Sequence, residues 1–102
     1  MPTVVISDKM KEYMRKKGFE RIAVSGQEFG SDFSPVEIVT TFITDPVKIE
    51  LYEKSRYKKF EDDGIICYVN EQLIFDGEVA EIYLKRFLGA PDFRVKGLRF
   101  KE

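Results

Sequence analysis

Hydrophobic and polar positions along the chain alternate in two different rhythms. Thr3 to Ile6 is a short β-rich run, and Ser7 follows in the position of a helix N-cap, with Asp8 in the first turn where its charge suits the helix dipole. From Asp8 to Lys17 the apolar residues Met10, Tyr13 and Met14 recur at three- and four-residue spacing among Lys9, Lys11, Glu12, Arg15 and Lys16, which predicts an amphipathic helix. Gly18 is expected to stop it as a left-handed residue, letting Phe19 fold back onto Met14. Strand-like patterning then takes over. Arg21 to Ser25 is expected to be a strand, Gly26 to Pro35 a polar loop and the longest in the chain, and Val36 to Ile43 a second strand closed by the Asp45-Pro46 turn signal. Lys48 to Tyr57 supports two readings, because Val47, Ile49 and Leu51 alternate as in a strand whereas Glu50 and Lys54 would pair across one turn of a helix.

The clearest local signal is Asp63-Gly64 between Phe60-Glu61-Asp62 and Ile65-Ile66-Cys67-Tyr68-Val69, the pattern of a hairpin with a type I′ turn. Asn70 to Phe75 is expected to be a short helical or turn segment. Asp76-Gly77 turns the chain into a strand from Val79 to Leu84, and Gly89-Ala90-Pro91 breaks it again. In the last strand the inward set moves from odd positions, Phe93 and Val95, to even ones, Leu98 and Phe100, so a β-bulge is expected at Gly97. Together these elements predict a mostly-β α+β domain, with one N-terminal helix packed on a small twisted sheet or partial barrel.

Composition narrows what such a domain can do. A chain of 102 residues is expected to form a single domain, 1–102, that buries roughly two-thirds of its unfolded surface. Seventeen basic residues stand against 18 acidic ones, so no global field draws the chain to nucleic acid or to an anionic membrane. No apolar run approaches the ~20 residues of a membrane span. The N-terminus shows no signal-peptide pattern and a lone cysteine cannot form an internal disulfide, so a cytoplasmic protein is expected. There is no histidine. Without it a general base would have to be Asp, Glu, Lys or Tyr, and no Walker loop, dinucleotide fingerprint or serine triad is present, so the expectation is a protein that is not an enzyme and binds no cofactor.

Cys67 is the one soft ligand, a redox thiol if exposed, but its place between Ile66 and Tyr68 in an apolar strand favours a buried, inert side chain. Asp62, Asp63, Asp76 and Glu78 are hard-cation donors in type, although Asp-Gly turns require such aspartates for backbone reasons. Basic residues cluster at Lys9, Lys11, Arg15, Lys16 and Lys17, at Lys54, Arg56, Lys58 and Lys59, and at Arg94, Lys96, Arg99 and Lys101. With Tyr57 and Phe60 as stacking surfaces they could form a weak nucleic-acid-binding module, but acidic neighbours dilute each cluster and a solvated surface is favoured.

The stretch Asp63 to Val69, followed by Ile82-Tyr83-Leu84, Phe87-Leu88-Gly89 and Phe93-Arg94-Val95-Lys96-Gly97-Leu98, resembles the C-terminal half of HesB-like proteins. These comprise the A-type iron-sulfur carriers and a shorter subgroup named for a Cys-Cys or Cys-selenocysteine motif. Val5-Ile6-Ser7, the helix and Lys17-Gly18 are similar to theirs as well. The resemblance implies the same β-rich fold. In the carriers, cluster binding depends on one cysteine after an early strand and a Cys-Gly-Cys pair in a C-terminal tail. Here the early position falls near Val24-Ser25-Gly26-Gln27-Glu28, where Gly26 is kept and no cysteine follows, and the sequence stops at Phe100-Lys101-Glu102. The subgroup's pair would fall in the same loop, near Gln27 and Glu28. No family ligand therefore carries over. The expected role is a cysteine-depleted relative that binds a protein partner or a second copy of itself, with Gln27, Glu28, Phe29, Asp32 and Phe33 as the candidate binding loop. The adjoining expectation is an accessory factor in iron-sulfur or sulfur and selenium metabolism, with thiolates supplied by a partner.

Overall fold

The structure, a computed structural model, describes residues 1–28 and 36–100. Nine strands and two helices follow one another as β1 (Thr3–Ile6), α1 (Asp8–Lys17), β2 (Arg21–Glu28), β3 (Val36–Phe42), α2 (Pro46–Lys54), β4 (Tyr57–Asp62), β5 (Ile65–Asn70), β6 (Leu73–Phe75), β7 (Val79–Phe87), β8 (Ala90–Lys96) and β9 (Leu98–Phe100), counted among the described residues.

Helix α1 starts and stops where its sequence dictates. The Ser7 hydroxyl accepts the Met10 N–H at 3.2 Å. At the other end Gly18 is left-handed with φ 76°, and the Gly18 and Phe19 N–H groups donate to the carbonyls of Arg15 and Met14, the paired bonds of a Schellman stop. Met10 and Met14 are fully buried.

The strands form a three-stranded sheet β1-β7-β8, a four-stranded sheet β3-β2-β5-β4 and a two-stranded ribbon β6-β9. Two neighbour pairs are parallel, β1 with β7 and β2 with β5; the others are antiparallel. In β2, Ile22 and Val24 face the main core with α1, while Ala23 faces a second apolar cluster under α2. In β5, Ile65, Cys67 and Val69 face the first core, and Ile66 and Tyr68 the second. Central strands covered on both faces have no polar positions to alternate with, which is why these two runs are almost continuously apolar.

Asp63 at φ 53° and Gly64 at φ 82° make the expected type I′ turn between β4 and β5. The carboxylate of Asp62 beside it seals the outer edge of β1, accepting the buried Ile6 N–H at 2.7 Å and the Lys11 ammonium at 3.3 Å. Asp63 pairs with Arg15 at 2.7 Å, and the Arg15 guanidinium holds its carboxyl below the usual carboxylate range.

Several expectations are corrected. There is a second helix, α2, over part of the segment that supported two readings: the Asp45 carboxylate accepts the Val47 N–H at 2.9 Å, Pro46 occupies the first turn, and the Lys54 ammonium meets Glu50 at 2.8 Å. Ile49 and Tyr52 turn to the sheet while Val47 and Leu51 stay exposed, so the strand-like alternation does not describe the burial. Asn70 to Phe75 is not helical. Asn70 ends β5, its side chain accepts the Gln72 N–H in an Asx turn, and Leu73–Phe75 is a strand whose partner, β9, is remote in sequence. Phe87-Leu88-Gly89-Ala90 is a tight hairpin, with Leu88 at φ 52° and Gly89 at φ 82°, so β7 runs on to Phe87 rather than ending at Leu84. Gly97 marks a change of sheet rather than a bulge: Lys96 pairs with Glu81 of β7, whereas Leu98 pairs with Phe75 of β6. Its φ of 88°, with Val79 O only 2.4 Å from where a Cβ would stand, leaves room for glycine alone. Phe93, Val95, Leu98 and Phe100 all face the core, as the parity shift implied.

Candidate functional site

The change of sheet at Gly97 carries β9 across to the end of β2. There Phe100 packs against Gly26 so closely that a Cβ on Gly26 would stand 2.3 Å from its ring. The stretch after the early strand and the last strand thus meet at one point, although they lie at opposite ends of the sequence. Beside it runs a groove of about 770 Å³ with Ile38, Val39 and Thr40 of β3 on one wall and Phe93, Arg94 and Val95 of β8 on the other. β3 and β8 are the outermost strands of their sheets among the described residues. The groove therefore lies between two strand edges, a setting that suits an extended polypeptide better than a small substrate. Its charges are Asp92, which accepts Arg94 Nε at 2.7 Å, and Arg99, which lies 3.9 Å from Asp76. It holds no nucleophile with a neighbouring base.

Of the candidate binding loop, Gln27 and Glu28 fall on β2, where their backbones pair with Glu37 and Val36 of β3. The predicted strand Arg21 to Ser25 is correspondingly longer, reaching Glu28. Phe29, Asp32 and Phe33 lie outside the described residues.

Cys67 is far from this point in chemical terms. It is 1% exposed at the centre of the main core, and burial pushes its thiol up to about 12, so the nucleophilic, metal-binding thiolate is suppressed. The turn carboxylates are not gathered together: Asp62 and Asp63 are paired with α1, Asp76 lies toward Arg99, and Glu78 lies 3.6 Å from the N-terminal amine. Among the described residues no three His, Cys, Asp or Glu side chains are grouped to hold a metal ion. The basic clusters are mostly paired as well: Lys11 and Arg15 with Asp62 and Asp63, Lys16 with Glu12, Lys54 with Glu50, Lys59 with Glu53, Lys96 with Glu81.

Sequence reasoning missed one polar network. The Tyr68 hydroxyl, beneath α2, donates to the Glu53 carboxylate, which Lys59 also meets at 3.2 Å. The Tyr68 and Lys59 hydrogen bonds hold Glu53 below its ordinary pKa, and desolvation raises that of Tyr68. Arg21 Nε, buried nearby, has no hydrogen-bond partner among the described residues. The pairing spans 15 residues and exists only once helix α2 lies over β5, so no local pattern announced it. The network ties α2 to the sheet.

The domain is a mostly-β α+β fold in which the early strand and the last strand meet at a glycine and a phenylalanine. The chain belongs to the CC/Se motif containing family, whose profile matches residues 2–98. Its structure is similar to the crystal structure of Escherichia coli SufA, described as involved in biosynthesis of iron-sulfur clusters, with a TM-score of 0.64 and 14% identity over 93% of this chain and 80% of that one. At that identity the likeness concerns the fold. No curated protein matches the chain. The side chains present do not fit an iron-sulfur cluster, since the one thiol of the sequence is sealed in the core. No helix among the described residues is long and apolar enough to cross a membrane.

Proposed function

We propose that this protein is a non-enzymatic, cytoplasmic binding protein, a cysteine-depleted relative of the iron-sulfur carriers that works by receiving a protein partner or a second copy of itself. The observation that carries this reading is the pairing of Phe100 on Gly26 beside a groove between two strand edges, while Cys67 is withdrawn from solvent. An extended segment laid in that groove would gain main-chain hydrogen bonds from β3 or β8 and would cover the half-buried Phe93 and Phe100.

The fold likeness to SufA favours the adjoining reading, in which the same surface serves iron-sulfur or sulfur and selenium metabolism and a partner brings the thiolates. Metal analysis and a visible spectrum after anaerobic reconstitution with iron and sulfide test the cysteine-independent premise of both readings. Colourless, metal-free protein is expected. A stoichiometric chromophore that disappears in Cys67→Ala would overturn that premise, because the thiol would then have to reach solvent.

A further inference from the structure

Among the described residues the side chains of Lys9, Lys17, Lys48, Arg56, Lys58, Lys85 and Arg86 make no ion pair or hydrogen bond, and of these Lys9, Lys85 and Arg86 fall together. All three line one concavity of about 430 Å³ between α1 and the far end of β7. On the helix, Lys9, Glu12, Tyr13 and Lys16 are spaced by three and four residues and so share a face. Across from them Lys85 and Arg86 of β7 both enter the lining at the strand edge left open beyond Ile82, where the pairing with β1 ends, although successive strand side chains leave on opposite faces. Asp92, directly opposite Lys85 in the β7–β8 ladder, is taken by Arg94 at 2.7 Å and does not neutralise it. Glu12 is the one carboxylate in the lining and lies 3.5 Å from Lys16. Four cations against one anion thus gather in a concave site on a chain whose net charge is −1. The Tyr13 side chain, fixed by its ring contacts with Phe42 and Phe93, adds a hydroxyl with no hydrogen bond among the described residues.

We infer that this concavity binds the diphosphate or triphosphate group of a small phosphorylated ligand, with Lys9, Lys85 and Arg86 meeting its oxygens. Like charges that share one lining repel, and a compact polyanion relieves that repulsion while filling the site. Lys and Arg contribute different things to it, point charges from the two lysines and a planar fork from Arg86. A concavity of about 430 Å³ lined by four cations leaves room for more than one phosphate. An extended polyanion would need basic residues continuing beyond the site, whereas the neighbouring Lys11 and Arg15 are occupied by Asp62 and Asp63. The site is separate from the β3–β8 groove and does not rest on the function proposed for it.

Backbone amide NMR titrations of the full chain with inorganic phosphate, inorganic pyrophosphate and ADP test this, in magnesium-free buffer at fixed ionic strength. Saturating shifts centred on Lys9, Tyr13, Lys85 and Arg86 are expected, with pyrophosphate binding about tenfold tighter than phosphate. Tighter binding of ADP than of pyrophosphate would support a nucleotide source, and equal binding would support recognition of the phosphate group alone. The double variant K85Q/R86Q should weaken pyrophosphate about tenfold, and K9Q should weaken it by itself. R56Q/K58Q, which removes the same charge from exposed residues outside the concavity, should leave it unchanged. Equal weakening by both double variants, or pyrophosphate binding no tighter than phosphate, would overturn the assignment.

Discussion

Asp62 and Gly26 show how much single positions decide in a chain of this size. Asp62 sits one residue before its turn, and its carboxylate caps the free edge of β1 through the Ile6 N–H. Asp62→Ala strands that donor at a position 1% exposed, so unfolding free energy should drop by about 1–3 kcal/mol in urea titrations. Asp62→Asn keeps an acceptor and should lose less than half of that. At Gly26 the obstacle is the Phe100 ring rather than the backbone torsion, since Gly26 does not occupy the left-handed region. Gly26→Ala should therefore destabilise by about 1–3 kcal/mol, the usual cost of overpacking. Pairing it with Phe100→Leu in a double-mutant cycle should recover part of the loss, because the smaller side chain yields the space. Strict additivity would show that the two residues do not meet.

At the scale of elements, α1 was legible down to its capping residues because everything that sets it is local: Ser7, the apolar stripe and Gly18. The hairpin at Asp63-Gly64 was legible for the same reason. β6 was not, because Leu73–Phe75 is held by β9 and nothing near it in the sequence announces that pairing. Gly97 was half legible: the parity shift was visible, but whether it meant a bulge or a departure to another sheet depended on that same missing partner. The candidate site suffered more. The loop residues could be singled out by composition, whereas the groove and the Phe100–Gly26 contact exist only once β9 has crossed over. α2 was balanced between two readings because its apolar residues serve both. Its structure has a dynamic consequence: none of its residues is buried, and it is held by Ile49, Tyr52 and the Tyr68–Glu53 bond. Hydrogen exchange should find the amides of Pro46–Lys54 opening at lower free energy than those of α1, and Tyr68→Phe should lower α2 protection further while α1 keeps its own. Equal protection of the two helices would contradict this.

For the molecule as a whole, the buried thiol makes stability depend on alkaline pH. Below about pH 8.5 Cys67 is neutral whether the chain is folded or not. Above it only the unfolded chain releases the proton, since burial raises the folded-state value to about 12, so the unfolded state gains and stability falls. The slope approaches about 1.4 kcal/mol per pH unit for this one group. Tyr52 and Tyr68, also raised, act in the same direction at higher pH. Urea unfolding between about pH 8 and pH 10 should show the decline in the native sequence and a flatter profile in Cys67→Ala, at the cost of a lower plateau from the cavity left behind. The parallel pairing of β1 with β7 has its own consequence for synthesis. Thr3 leaves the ribosome well before its partner Val79, and β7 in turn is the strand on which β8 is laid. The four-stranded sheet is complete once β5 has emerged, but the sheet that holds β1 is not, so Val4 and Ile6 wait without their strand partners until β7 and β8 follow, and vulnerability to aggregation and proteolysis is concentrated in that interval.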